Sequence, residues 1–166
     1  MKLEDASILA FRICDSIRHL CDPKHIVVAG SIRRKRPEVN DIDIVLIPQG
    51  WMWNTIIQVL KDRWLALVVE AGQELARLKI PVSATSEPVQ VDIYRARPET
   101  WGVLLLVRTG SREHNIKLCS RAKAMNMMLS AKDGVVKDEK VIACRTEVEI
   151  FKALEMDFVE PERREV

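Results

Sequence analysis

No apolar run in the chain approaches the roughly 20 residues that a helix needs to cross a bilayer. Residues 1–11 carry acidic side chains early and do not show the pattern of a secretory signal. Membrane-spanning and secreted classes are therefore excluded, and we expect a soluble, cytoplasmic (intracellular) protein with no membrane partner.

The chain also lacks the spacings of a zinc or disulfide framework. It has four cysteines without a CxxC or CxxH pair, and its histidines, His19, His25 and His114, are scattered. Cys14 and Cys21 lie on one predicted helix, where about 10 Å of axial rise separates them. Disulfide Cα atoms lie within about 7 Å of each other, so we expect buried, reduced thiols.

No internal repeat and no low-complexity tract is visible in the 166 residues. An apolar fraction of 48% is ordinary for a globular protein. The pattern predicts an α+β fold with a sheet-rich lobe at 1–98 and a small helical subdomain with a hairpin at 99–166. Predicted helices span 3–21, 51–64, 99–108, 111–129 and 150–154. Predicted strands span 26–29, 41–47, 65–69, 75–80 and 89–94, and the hairpin spans 132–143 with its turn near 137–138. Ser111 is a predicted N-cap, and residues 146–149 fit a capping box, with Thr146 as the cap, that opens the last helix.

The net charge is only +2, but basic residues are concentrated in two stretches. Residues 23–37 hold five basic side chains and no acid, and residues 106–132 hold six against one acid. The segment from 138 onward is acidic, with nine acids and five bases. This distribution fits either a polyanionic partner or plain solvated faces, and charge alone does not separate the two.

Residues 30–47 are the most informative part of the chain. A Gly30-Ser31 turn and four consecutive basic residues precede two aspartates, Asp41 and Asp43, at the start of a strongly apolar strand. Because a strand turns alternate side chains to one face, both carboxylates point the same way. Carboxylates crowded on one face repel each other unless a cation lies between them, and Mg²⁺ accepts such oxygen ligands.

A third carboxylate stands in the middle of another predicted strand. Asp92 is flanked by Val91 and Ile93, where an unpaired charge would be costly. If its strand lies beside that of Asp41 and Asp43, three carboxylates converge and can hold two divalent ions. A lone strand aspartate is a weak signal, so the inference depends on all three together.

With these motifs the chain resembles the family X DNA polymerases, within the nucleotidyltransferase superfamily that includes DNA polymerase β. The Gly-Ser turn and the Asp-x-Asp pair are typical of the superfamily, and the segment from Thr109-Gly110-Ser111 to Asn115 is typical of family X. The chain also carries the closing run of the family, from Thr146-Glu147 through Ile150-Phe151 to Pro161. The resemblance extends from about residue 26 to the end of the chain and implies a palm lobe followed by a nucleotide- and DNA-binding subdomain.

The resemblance implies a role for each matching residue. Asp41, Asp43 and Asp92 would be catalytic and would bind two Mg²⁺ ions, which Mn²⁺ can replace. The other roles are nucleotide binding by Gly30, Ser31, Arg34, Gly110 and Asn115, and DNA binding by Arg108, Arg112, Lys117 and Arg121. The implied partners are a dNTP and primer-template or gapped DNA, bound by a monomer.

Departures from the family pattern modify this expectation. Val107 and Arg108 stand where members often carry two aromatic residues that shape the sugar pocket, and Cys119 stands where polymerase β has an arginine. We therefore expect low fidelity and altered ribose exclusion. About 25 residues precede the first strand, too few for a lyase domain, which is similar to compact viral members and suggests a virus-encoded protein.

The leading prediction is a template-directed DNA polymerase that adds dNTPs to a primer 3′-hydroxyl by two-metal phosphoryl transfer, in short gap filling during DNA repair. One alternative is a template-independent or small-acceptor nucleotidyltransferase, and another is a non-catalytic DNA-binding module. The tryptophans and phenylalanines are expected to fill the core, and His114 is expected on a helix surface.

Overall fold

In the computed structural model, which describes residues 1–83 and 87–165, the chain divides into two units, Met1–Ala96 and Arg97–Val166. The first unit is a mixed sheet with helices, and the second is a small sheet with helices. The α+β prediction is confirmed. No helix among the described residues is long and apolar enough to span a membrane.

The elements of the first unit follow the periodicity of the sequence. They are α1 (Leu3–Ile17), β1 (Cys21–Val28), α2 (Gly30–Arg33), β2 (Asp41–Pro48), α3 (Trp53–Trp64), β3 (Leu67–Ala71), β4 (Leu75–Ile80) and β5 (Val89–Arg95). The helix predicted to reach residue 21 ends at Ile17, because a 3-10 turn at Arg18–Leu20 joins α1 to β1, and Cys21 begins that strand. Leu65, in the left-handed region at φ 50°, ends α3.

The five strands form one sheet in the order β1-β2-β5-β4-β3. β2 and β5 are parallel neighbours, and the other pairs are antiparallel. The parallel pair places the two aspartate-bearing strands side by side in the middle of the sheet.

Alternation along the strands separates a core face from a polar face. Ile42 and Ile44 on β2, and Val91 and Ile93 on β5, are fully buried and share one core with α1 and α3. Because neighbouring positions point to opposite faces, the aspartates of these strands lie on the other side of the sheet. Truncating one of these core residues to alanine typically costs about 2–5 kcal/mol.

The second unit contains three helices and a three-stranded antiparallel sheet. Its elements are α4 (Trp101–Thr109), α5 (Arg112–Ala124), β6 (Met128–Ser130), β7 (Gly134–Lys137), β8 (Lys140–Ala143) and α6 (Glu147–Ala153), with 3-10 turns at Pro98–Thr100 and Pro161–Arg163. Ser111 and Thr146 cap α5 and α6 by accepting hydrogen bonds from the amides of His114 and Glu149, at 3.2 and 3.1 Å. The predicted caps and the predicted hairpin turn after Lys137 are confirmed.

Two further expectations are wrong. The helix predicted to reach residue 129 ends at Ala124, because Asn126 adopts a positive φ of 55° and the next residues pair with β7 as β6. The prediction that the aromatic residues fill the core fails for Trp51, Phe11 and Phe158, which are 85%, 62% and 39% exposed. Trp51 lies in the turn between the end of β2 and the start of α3.

The prediction of buried thiols is confirmed for Cys14 and Cys21 and is wrong for Cys119, which is exposed, while Cys144 is half-buried. Cys14 and Cys21 are buried and free of disulfide bonds. Burial raises the pKa of Cys14 to about 12 and that of Cys21 to about 11, so both stay protonated thiols at neutral pH.

Candidate functional site

The polar face of the first unit's sheet carries two aspartates in direct register. Asp43 on β2 lies opposite Asp92 on β5, while Asp41 lies opposite Gln90. Asp43 is half-buried, and Asp92 is only 3% exposed. Two carboxylates on neighbouring strands of one face form an anionic patch that favours a cation.

Asp92 already has a cationic partner, Arg77 on β4. The Arg77 side chain donates from Nε to Asp92 Oδ1 and from an Nη to Oδ2, both at 2.9 Å. Gln90 and Tyr94 donate to Oδ2 at 3.4 and 3.3 Å. The hydrogen bonds and charge of Asp92 raise the pKa of Arg77 above its ordinary value, so the arginine is permanently charged.

The Gly30-Ser31 turn lies against Asp43. Gly30 begins α2 with φ +57°, and a Cβ at this position would overlap the Asp43 carboxylate, with the Asp43 Cγ only 2.9 Å away. Glycine therefore allows both the positive φ and the close approach. The amide of Ala29 donates to the backbone oxygen of Asp43 at 2.8 Å, which ties the turn to β2.

Ser31 offers a hydroxyl that the described residues leave without a partner. Its Oγ is buried and has no hydrogen-bond partner among them. Because an unmet buried hydroxyl costs free energy, the position suits a ligand that accepts or donates there.

The basic segment after α2 folds back on the turn. The Arg34 amide donates to Gly30 O at 3.2 Å, and the Arg36 amide donates to Ser31 O at 3.0 Å. Lys35, with φ 57°, completes this tight turn. Arg34 is half-buried, whereas Lys35 and Arg36 are exposed. This short turn therefore carries both Ser31 and three cationic residues, a composition that suits an anion.

The three predicted metal ligands have the chemistry that a hard divalent cation prefers, but the structure brings only two of them together. Asp41, Asp43 and Asp92 offer carboxylate oxygens, which Mg²⁺ prefers. Across the described ranges, however, no three His, Cys, Asp or Glu side chains are grouped closely enough to hold a metal ion. Asp43 and Asp92 are brought together, and Asp41 lies two residues along β2, about 7 Å away along the strand.

In the second unit, the junction of α4 and α5 holds the predicted nucleotide residues. Gly110 has φ 72° and its peptide bond to Ser111 is cis. Asn115 lies on the first turns of α5, where Nδ2 donates to Val107 O at 2.8 Å. Its Oδ1 is buried and has no hydrogen-bond partner in the described residues. The Nδ2 bond therefore fixes the orientation of the side chain, and Oδ1 is left to accept a hydrogen bond from a ligand.

The four predicted DNA-contacting side chains of α4 and α5 are all exposed. Arg108 ends α4, and Arg112 and Lys117 lie on α5. Arg121 is also bound within its own unit, since Nε donates to Leu154 O at 3.0 Å and an Nη lies 3.4 Å from Glu155. Its guanidinium thus caps the end of α6.

The expectation that His114 lies on a helix surface is wrong. The imidazole is 4% exposed, contacts Phe151 with ring centroids 5.8 Å apart, and has no hydrogen-bond partner on either nitrogen among the described residues. Burial, followed by the charges of Arg164 and Lys117, lowers the pKa of His114 to about 4. His114 is therefore a neutral core residue.

Arg77, the partner of Asp92, is not among the site residues that the sequence predicts. Residues 75–80 alternate apolar and polar, and this pattern places Arg77 on the polar face of β4. The pattern cannot show that β4 pairs with β5 in the register that sets Arg77 opposite Asp92, because register depends on residues distant in sequence.

Comparisons with known proteins relate the chain to DNA polymerases. Residues 104–165 match the family model described as DNA polymerase beta thumb. The "Repair DNA polymerase X" of African swine fever virus strain Badajoz is 23% identical over 144 residues, covering 85% of this chain and 82% of the relative. The protein of the same name from the Tick/Malawi isolate is also 23% identical, with the same coverage.

A solved structure has the same fold over the whole chain. It is "Crystal structure of Leishmania infantum polymerase beta: Ternary P/T complex", with a TM-score of 0.80 and 18% sequence identity. The likeness covers 100% of this chain and 77% of that one. At 18% identity, the structural match shows a shared fold and nothing further.

Proposed function

We propose that the chain, whose resemblance to the family X DNA polymerases is confirmed by its relatives, thumb segment and fold, is a DNA-directed DNA polymerase of DNA repair. The observation that carries this proposal is the register of Asp43 opposite Asp92 beside the Gly30-Ser31 turn. A carboxylate pair beside a turn whose buried Ser31 hydroxyl has no partner among the described residues suits phosphoryl transfer, since alignment and charge neutralisation supply most of its catalysis.

Asp41, Asp43 and Asp92 are the residues that would hold the divalent cations. When bound, two Mg²⁺ ions, or Mn²⁺ in their place, would neutralise the triphosphate and activate the primer 3′-hydroxyl. Asp92 would accept the hydroxyl proton. It is the most buried of the three carboxylates, and Arg77, Gln90 and Tyr94 orient it.

The turn after β1 would bind the terminal phosphates of the dNTP. The unpartnered Ser31 hydroxyl supplies a hydrogen bond, and Gly30 allows close approach because it has no side chain. Arg34 supplies positive charge from the same turn. These three residues position the leaving group, and none of them forms a covalent intermediate in this proposal.

The second unit would contact the nucleotide and the DNA. The unmet Oδ1 of Asn115 is suited to a hydrogen-bond donor on the incoming nucleotide, with Gly110 approaching its sugar. Arg108, Arg112, Lys117 and Arg121 would contact DNA phosphates, which predicts binding that weakens steeply with salt. Arg121 should contribute least, because its guanidinium already binds α6.

Extension of a primer across a one-nucleotide gap tests the function. Single dNTPs are supplied in turn with Mg²⁺ or Mn²⁺, and only the templated nucleotide should be added. Asp92→Asn should abolish extension, whereas Asp62→Asn, an exposed helix-surface change, should not. Equal incorporation of all four nucleotides would indicate a template-independent transferase, and no incorporation with either metal would indicate a non-catalytic module.

A further inference from the structure

Four ionisable side chains form one row across the polar face of the first unit's sheet. β2, β5, β4 and β3 contribute Asp43, Asp92, Arg77 and Glu70, each opposite the next in register. Cross-strand neighbours of this kind lie about 4.5–5.5 Å apart, close enough for each charge to act on the next. The single cation in the row stands between the acid of the proposed site and an acid outside it.

Arg77 is shared between its two acidic neighbours. It is bonded to both oxygens of Asp92 at 2.9 Å, and its other terminal nitrogen lies 3.8 Å from Glu70 Oε2. The Asp92 side chain is 4% exposed, while those of Arg77 and Glu70 are 35% and 51% exposed. Arg77 can therefore shift toward solvent and Glu70, whereas Asp92 cannot follow it.

The acceptor capacity of Asp92 is nearly filled while Arg77 stays. Oδ2 accepts from Arg77, Gln90 and Tyr94, and Oδ1 accepts from Arg77. A carboxylate has about four lone-pair sites in all. A divalent cation on Asp92 must displace donors, and it would also be repelled by the guanidinium.

We propose that Arg77 is a positioning residue that pairs with the Asp92 carboxylate in the absence of metal. When a divalent cation binds Asp92, Arg77 leaves this carboxylate and pairs with Glu70. The proposal rests on the proposed function for the identity of the cation site. Arg77 keeps a buried carboxylate oriented and charge-balanced in the free protein, and its release to Glu70 sets how tightly Asp92 takes metal. Glu70 thus acts on the site through Arg77 alone.

The test is equilibrium Mn²⁺ binding to the full chain without DNA or nucleotide, followed by the electron paramagnetic resonance signal of free Mn²⁺. Arg77→Met should lower the Mn²⁺ Kd by about tenfold or more, the size expected for losing a competing pair of charge-assisted hydrogen bonds. Arg77→Lys should lie between Arg77→Met and the unmodified chain. Asp92→Asn identifies the site by weakening binding.

Glu70→Gln separates this mechanism from general electrostatics. In the unmodified chain it should raise the Kd, because Arg77 loses its second acceptor. In the Arg77→Met background it should have no effect, and this double-mutant cycle isolates the coupling. Arg63→Met is the matched control, since it removes one exposed arginine that is not in the row.

A Kd that Arg77→Met leaves unchanged, while Asp92→Asn weakens it, would overturn the proposal. So would an equal effect of Glu70→Gln in both backgrounds, or no Mn²⁺ binding by any variant. If Arg77→Met fails to fold, Arg77→Lys and Glu70→Gln still decide. Templated primer extension by the unmodified chain reports separately on the proposed function, so the two can fail independently.

Discussion

Replacing Arg164 with methionine should destabilise the second unit strongly. Arg164 is fully buried, and its Nη1 donates to Glu147 Oε1 at 2.7 Å while Nε donates to Val159 O at 2.8 Å. The guanidinium also lies 5.4 Å from the ring centroids of both Phe151 and Phe158.

The magnitude follows from what the substitution leaves behind. Arg164→Met keeps the apolar stem but leaves the Glu147 carboxylate buried without its arginine, which costs about 3–5 kcal/mol of unfolding free energy. The control Arg163→Met changes an exposed neighbour and should stay within about 0.5 kcal/mol. Replacing both members, as Glu147→Leu with Arg164→Met, should recover most of the loss because no charge is then left unpaired.

Segment-resolved hydrogen exchange measures this effect, because it reports opening free energy locally. The slowest amides of α6 should exchange roughly two to four orders of magnitude faster in Arg164→Met, the rate equivalent of 3–5 kcal/mol. The α5 amides should follow, since the Ser111 amide donates to Arg164 O at 2.9 Å. If α6 protection falls less than tenfold, or if the double variant is no better than the single one, the reasoning is refuted.

Three further outcomes are expected. Gly30→Ala should cut primer extension about 100-fold with the fold retained, because the new Cβ displaces the Asp43 carboxylate. The control Gly72→Ala should have little effect on extension. Equal activity of the two variants would contradict the close approach of Gly30 to Asp43. Ser31→Ala should raise the dNTP KM by about fivefold with kcat nearly unchanged, the cost of one hydrogen bond made equally in ground and transition states, and steady-state kinetics would show it. The second unit should lose stability as pH falls from about 6.5 to about 4. The reason is that the pKa of His114 in the folded state is lowered to about 4, so the unfolded state binds a proton first. Urea unfolding at a series of pH values should show this loss in the unmodified chain and not in His114→Asn.

Much of the fold follows from local patterns. Alternation predicted β4 at Leu75–Ile80 and β5 from Val89, and the cap residues Ser111 and Thr146 predicted where α5 and α6 begin. These signals succeed because propensity, capping and period act over a few neighbouring residues. The prediction of a helix to residue 129 was wrong because its last residues form β6, which pairs with β7.

The chemistry of the candidate site was readable from the sequence, since side-chain type and strand parity placed Asp41 and Asp43 on one face and Asp92 on the polar face of its own strand. Tertiary structure alone decided that Asp43 faces Asp92, that Arg77 holds Asp92, and that Asp41 stands apart from the pair. It also decided that Arg164 is buried against Glu147. Register and burial are set by contacts between residues far apart in the chain, and one sequence records which residues are available but not which of them meet.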